Sequence, residues 1–364
     1  MPIHPALRRP IEFLGFVQAS PFTEVEDWAG PAVQPDYVRD LARAHEDAGF
    51  DRVLIGYYSA AADGWQLSAY VTQQTERLGV LIAHRPGFVQ PTLAARFAST
   101  LDHFSHGRVA LHIVTGGSEA DQVSDGDVLP KEQRYERTSE YIDVLRKCWA
   151  DPNPFDYHGN YYHVEGVNQQ VRPYQEHGIP IFFGGSSSIA LDIAAQKADL
   201  YACFGEPVAE IRERIADMRS RAASYGRELG YSVSLRPILG ATEDEAWDRA
   251  HDFLERIRER KRRNGSAHKT MRAGATAPEG ARRLLAAADR GEIHDKRLWF
   301  EIARETGAAG NSTAPVGTAE QVAETILGYV DAGATSILIR GFEPIKDAAW
   351  YGRELIPLVR KQLA

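Results

Sequence analysis

The stretch Arg108–Gly117, RVALHIVTGG, decides the fold. A short apolar run ends in Thr115-Gly116-Gly117, passes through the acidic loop SEADQVSDG (118–126) and enters the helical pattern RYERTSEYIDVLRKCW (134–149). An apolar run of this length with a helix behind it reads as a strand buried on both faces, the signature of a parallel sheet. Seven further runs repeat it: Glu12–Val17, Arg52–Ile55, Leu78–Ala83, Ile179–Phe183, Leu200–Cys203, Ser232–Leu239 and Ser336–Ile339. Amphipathic helices alternate with them. Asp36–Gly49 ends on glycine, and Thr318–Gly333 opens with a capping-box pair, Thr318 and Gln321, and ends on glycine. Eight strand–helix units favour an α/β fold closed into a (β/α)8 TIM barrel with insertions. An open doubly wound sheet is disfavoured because no strand is followed by G-x-G-x-x-G.

Two stretches break the alternation and are read as insertions in a single domain spanning 1–364. Asp151–Pro173, which contains FDYHGNYYHVEG, reads as a small hairpin laid over the barrel. Gly265–Gly310, rich in alanine and glycine, reads as a mobile lid between the seventh and eighth strands. With 42 Lys and Arg against 50 Asp and Glu, the net charge of −8 argues against a nucleic-acid partner. The basic run at 256–263 reads as a solvated helix end. No apolar run is long enough to cross a membrane, no signal peptide is evident, and two cysteines make no disulfide framework, so a cytoplasmic protein is expected.

Active sites of such barrels lie at the C-terminal ends of the strands. Those ends carry His84-Arg85-Pro86-Gly87, Thr115-Gly116-Gly117, Gly184-Gly185-Ser186-Ser187-Ser188, Phe204-Gly205-Glu206 and Arg340-Gly341-Phe342, with His112 and Arg236 inside their strands. The Gly-Gly-Ser-Ser-Ser turn opens a helix and offers free N–H groups, hydroxyls and a positive dipole, which is what a phosphate monoester requires. A plain βα turn with a serine N-cap explains it equally well. Arg134-Tyr135 would add a cation and a stacking ring. No metal site is expected, since His84, His112, His158 and His163 lack paired carboxylates at ligating spacing. No G-x-S-x-G elbow is present either. Without a nucleophile or a metal, the chemistry falls to a bound organic cofactor carrying phosphate.

From about Phe13 to Leu358 the sequence resembles the bacterial luciferase-like flavin monooxygenases, and within them the alkanesulfonate monooxygenase branch. The resemblance rests on TGGSEADQVSDGD (115–127) with the helix behind it, AHRPGFVQPTLAARFASTLDHFSHGRVALHIVTGG (83–117), PIFFGGSSSIALDIAAQKADLYACFGEP (180–207) and STAPVGTAEQVAETILGYVDAGATSILIRGFEP (312–344). It implies a TIM barrel that takes FMN as FMNH2 from a separate NAD(P)H-dependent flavin reductase, uses O2, and splits an organosulfonate into sulfite and an aldehyde. It also implies a homodimer or homotetramer. Thr115 and Gly116 would wall the flavin ring and ribityl chain; Tyr135, Gly184, Gly185, Ser186 and Ser187 would hold its phosphate.

The substrate side departs from that branch. Ala61 stands where the branch has cysteine, Ser234 and Arg236 where it has arginine and histidine, and Phe342 where it has tyrosine. His112 replaces an asparagine and Phe204 a tryptophan, while Gly307–Thr313 occupies the place of its insertion-loop arginine. Arg236, His84, His112 and Arg340 are the expected catalytic set, with Arg85, Arg236, Trp65 and Phe342 against the substrate. A buried arginine needs an anion. Either a small anionic organosulfonate supplies it, a short alkanesulfonate or a sugar sulfonate such as sulfoquinovose, or Glu12, Glu206 and Glu343 pair with Arg85 and Arg340. A deazaflavin-dependent hydride-transfer enzyme of the same fold and a non-catalytic flavin-binding protein are the alternatives.

Overall fold

A computed structural model describes residues 11–116, 119–264, 278–308 and 311–364. Its strands are β1 (Glu12–Val17), β2 (Arg52–Ile55), β3 (Gly79–His84), β4 (Val109–Ile113), β5 (Phe155–His158), β6 (His163–Val167), β7 (Ile181–Gly184), β8 (Leu200–Phe204), β9 (Gly230–Leu235), β10 (Ile238–Leu239), β11 (Ile293–His294), β12 (Leu298–Trp299), β13 (Ala314–Gly317) and β14 (Ser336–Ile339). Eight of them close into a barrel in the order β1-β14-β9-β8-β7-β4-β3-β2, with every pairing parallel. The expected (β/α)8 barrel is the fold, and its eight strands fall on the eight predicted runs.

Successive strand residues point to opposite faces, so each barrel strand feeds two cores. Leu14, Leu81, Ala110, Phe182 and Leu200 fill the lumen, with Leu54, Ala202 and Leu338 packed on them. The intervening residues, among them Phe13, Val53, Ile82, Ile113, Phe183, Val233 and Ile337, join the larger core under the helices. Helix Ala319–Ala332 carries the predicted capping box at Thr318 and Gln321, and its C-cap Gly333 is left-handed with φ 113°. Among the described residues no helix is long and apolar enough to cross a membrane.

The seventh predicted run is not one strand. β9 stays in the barrel, whereas β10 pairs with β13 in a second sheet of order β10-β13-β12-β11. Pro237 lies at the break and has no N–H to continue the ladder, and the Arg236 N–H turns to Thr313 O at 2.8 Å. Of the 265–310 insertion, residues 265–277, 309 and 310 lie outside the described residues. Residues 278–308 are packed: Leu284, Leu298, Trp299 and Phe300 are fully buried. Within 151–173, β5 and β6 form an antiparallel pair.

At the barrel floor Glu12 and Arg52 form a buried pair, Arg52 Nε donating to Glu12 Oε1 at 2.7 Å. Arg52→Met leaves Glu12 buried without its partner and will lower stability by about 3–5 kcal/mol. Adding Glu12→Gln will restore most of that in urea unfolding. A double variant as unstable as the single one would refute the pairing as the cause.

Candidate functional site

Strand parity sorts the residues at the mouth. His112 lies two residues beyond lumen-facing Ala110 and meets Gly184 on the neighbouring strand β7, where an added Cβ would sit 3.4 Å from its ring. His84 is two residues beyond Ile82 and points the other way, under the helices. Its Nε2 lies 2.6 Å from the Tyr141 hydroxyl, and its ring packs edge-on against Trp65. Trp65 in turn contacts Phe97. The structure therefore removes His84 and Trp65 from the mouth, because one residue of strand register changes the face. Burial pushes both histidines down, His84 to about 4 and His112 to about 4. His112 is thus a neutral imidazole, and its Nδ1 is buried with no hydrogen-bond partner.

The cations of the mouth are mostly paired within the chain. Arg236 is 1% exposed, with Glu24 at 3.0 Å from Nη1 and 3.1 Å from Nη2. It also donates to Arg340 O and Gly341 O and lies flat over Phe342 at 3.7 Å. The fork expected to grip a substrate anion holds Glu24 instead. Phe342, fully buried, packs between Arg236 and Phe253 and does not line the mouth. Arg340 shares Glu24 at 3.8 Å and donates to Gln18 at 3.2 Å, while its Nε is buried without a partner. The two guanidiniums hold the Glu24 carboxyl well below the usual range against the opposing effect of burial. Two cations share one carboxylate, so the cluster keeps one net positive charge. Beside it, Asn311 Nδ2 donates to Ser234 Oγ at 2.8 Å.

Arg85 is likewise engaged. It pairs with Asp121, lies 3.8 Å from Asp125 and stacks on Tyr57. The carboxylates expected for Arg85 and Arg340 serve elsewhere, Glu12 on Arg52, Glu206 on Arg283 and Glu343 on Arg249. The acidic stretch after β4 is a set of counter-ions: Glu119 pairs with Arg134, Asp121 with Arg85 and Asp127 with Arg137. Arg134 is thereby taken from the ligand site.

The glycine-serine turn after β7 has the features of an anion cradle. Gly185 has φ 137°, and a Cβ there would stand 2.8 Å from Ala190 Cβ and 3.2 Å from the Tyr135 hydroxyl. Ser187 is the N-cap of helix Ser188–Lys197, yet its side chain makes no capping bond. Its hydroxyl is buried beside Tyr135. Tyr201 Oη donates to Gly185 O at 2.9 Å. Gly280, opening the described part of the insertion, lies over this turn, where a Cβ would come 3.2 Å from the Phe204 ring and 3.8 Å from Ser186 Oγ. Thr115 is buried, its Oγ1 donating to Thr138 Oγ1 at 3.3 Å. Gly116 has φ 124°, and any side chain there would run into the Gln122 amide. Backbone amides, an uncommitted hydroxyl, a phenol and a helix N-terminus suit a phosphate monoester, so the residues present fit a phosphorylated flavin.

The structure therefore gathers His112, Arg340, Arg236, Gly184, Gly185, Ser186, Ser187, Tyr135, Thr115 and Gly116 around the C-terminal end of the barrel. Glu24, Asn311, Gln122 and Gly280 join them and were not read from sequence. Glu24 had a signal, since a buried Arg236 demands a carboxylate, though nothing in the sequence says which one, and Asn311 lies in the Gly307–Thr313 stretch set against the family's insertion loop. Among the described residues the only group with metal-ligating spacing is His158, His163 and Glu165, on the β5–β6 hairpin.

The luciferase-like monooxygenase family profile matches residues 15–336, and the chain belongs to that family. Among solved structures it is similar to a riboflavin lyase with modified FMN and riboflavin (TM-score 0.78, 18% identity, covering 97% of this chain and 92% of that one). It is also similar to EDTA monooxygenase from Chelativorans sp. BNC1 (0.76, 16%, 97% and 94%). A third is the coenzyme F420-dependent tetrahydromethanopterin reductase from Methanopyrus kandleri (0.69, 17%, 96% and 99%). At these identities the likeness to each structure is one of fold.

His45, His84 and His112 are held neutral by burial and protonate at about 4 in place of 6.5. The unfolded chain binds more protons between those values, so stability present above pH 6.5 is lost as pH falls toward 4. Urea midpoints will fall across that window, and His84→Asn will lower the slope by up to about one proton. An unchanged slope in that variant would show that His84 is not among the titrating groups.

Proposed function

We propose that this chain is the oxygenase component of a two-component system, a monooxygenase taking FMNH2 from a separate NAD(P)H-dependent flavin reductase. Its co-substrate is O2, and a small organosulfonate is cleaved to sulfite and an aldehyde. The carrying observation is the pairing of an uncommitted phosphate cradle with a mouth that keeps one net positive charge. Gly184, Gly185, Ser186, Ser187 and Tyr135 would hold the FMN phosphate, with Thr115 and Gly116 along the rest of the cofactor. Bound there, reduced FMN supplies the electrons that activate O2.

The residues of the chain divide the remaining work. Arg340, the partly exposed cation of the cluster, takes the sulfonate through its guanidinium in a charge-assisted hydrogen bond. Arg236 is a positioning residue that fixes Glu24 and orients Arg340 through its carbonyl. His112, neutral and unpartnered at Nδ1, meets the substrate as an uncharged hydrogen-bonding group. Ser234 and Asn311 add polar contacts for a hydroxylated tail, so a sugar sulfonate fits this mouth as well as a short alkanesulfonate. The need for reduced nicotinamide at the reductase and the free thiols of Cys148 and Cys203 suit the cytoplasm.

Anaerobic titration with FMNH2, FMN and a deazaflavin, followed by tryptophan fluorescence, tests the cofactor. FMNH2 will bind tightest; preference for the deazaflavin would move the reading to hydride transfer, and binding of none would remove it. With reductase and O2 present, Arg340→Met will raise the sulfonate KM at least about tenfold, the worth of one charged hydrogen bond, while FMNH2 affinity stays unchanged. An unaltered KM for sulfite release would overturn the role of Arg340.

A further inference from the structure

The β5–β6 hairpin carries a second constellation, away from the barrel mouth. Tyr157 faces Val164, and both pack on the core under the helices. One residue along, His158 faces His163, so by strand alternation this pair points to solvent, and Glu165, two residues on, shares that face. All three side chains are exposed. His158 Nδ1 lies 3.1 Å from His163 Nδ1 and 3.2 Å from His163 Nε2, and Glu165 Oε1 lies 3.1 Å from His163 Nε2.

These separations match donors around one ion. Ligands bound at about 2.0–2.2 Å in a tetrahedron stand roughly 3.3 Å apart. Two imidazole nitrogens this close share either a proton, as N–H···N, or a metal ion, and the adjacent carboxylate adds negative charge that favours the ion. The backbone beneath is fixed. Gly159 N donates to Tyr162 O at 2.8 Å to close the turn, and Glu140 of helix Lys131–Ala150 accepts the N–H groups of Asn160, Tyr161 and Tyr162. The ligands are therefore presented on a braced strand pair and need only side-chain rotation to converge.

We propose that His158, His163 and Glu165 form a surface site for a borderline divalent transition ion such as Zn2+, Ni2+ or Cu2+. Two nitrogen donors with one carboxylate select these ions over Mg2+ and Ca2+. Three protein ligands leave a coordination position for water or an external donor. The site is independent of the flavin cradle and of the oxygenase reading.

Calorimetric titration of tag-free protein with ZnCl2, and Co2+ absorption as a coordination readout, test it. One saturable Zn2+ per chain is expected, with visible Co2+ ligand-field bands and a raised melting temperature. His158→Ala and His163→Ala will each weaken Zn2+ binding at least tenfold, and Glu165→Gln by a smaller factor. Because the three side chains are exposed, the apo variants will melt as the parent does, so loss of binding is not loss of fold. Zn2+ binding in the His158→Ala/His163→Ala double variant as tight as in the parent, or no saturation of the parent below millimolar Zn2+, would overturn the proposal.

Discussion

A guanidinium taken out of water must find a carboxylate, and in this molecule the loops above the barrel are arranged around that demand. Arg236 ends its barrel strand fully buried, and the carboxylate it needs comes from Glu24, on the connection after the first strand. Arg85, at the end of the third, is met from the connection after the fourth. Arg283 in the insertion reaches Glu206 after β8, its Nε at 2.7 Å. Each pair joins two different connections above the barrel. The barrel supplies a rigid ring of strand ends, and the ion pairs fix the loops relative to one another above it.

That arrangement sets the electrostatics of the mouth. The cluster of Arg236, Arg340 and Glu24 carries less positive charge than a count of arginines suggests, and its remaining attraction for an anion is focused on Arg340. His112 adds no charge at neutral pH. Among the described residues the glycine-serine turn contains no cation and offers backbone amides, hydroxyls and the dipole of helix Ser188–Lys197. The proposed reading thus places two kinds of anion recognition on one barrel end, one by charge and one by oriented neutral donors.

The barrel was legible because strands buried on both faces read as uninterrupted apolar runs, and the helix ends because Thr318, Gln321 and Gly333 act locally. The glycine-serine turn was legible for the same reason. What sequence reasoning lost was side-chain direction and partnership. His84 and His112 look alike as histidines near strand ends, yet their strand parity puts one under the helices and the other in the lumen. Trp65 and Phe342 are apolar rings that a pocket or a core would accept equally, and contacts with His84, Phe97 and Phe253 assign them to the core. Pro237 interrupts the run Ser232–Leu239 that sequence reading took as one strand, and it is there that the chain leaves the barrel. Glu24 is separated from Arg236 by 212 residues, and no local pattern connects them.

The connection that carries Glu24 is fastened to helix Glu243–Asn264. Val25 packs in one apolar cluster with Phe253 and Phe342. Arg260 donates to Thr23 O at 2.5 Å and pairs with Asp27, which Arg263 also reaches. Helix Glu243–Asn264 therefore holds the loop like a handle, so the negative member of the mouth's charge cluster is seated by that helix while the two arginines are seated by the barrel. A sideways shift of that helix would lengthen the Glu24 contacts and strengthen the field at the mouth without altering any residue on the barrel strands. The strength of anion attraction at the mouth therefore depends on how a helix outside the barrel seats one loop.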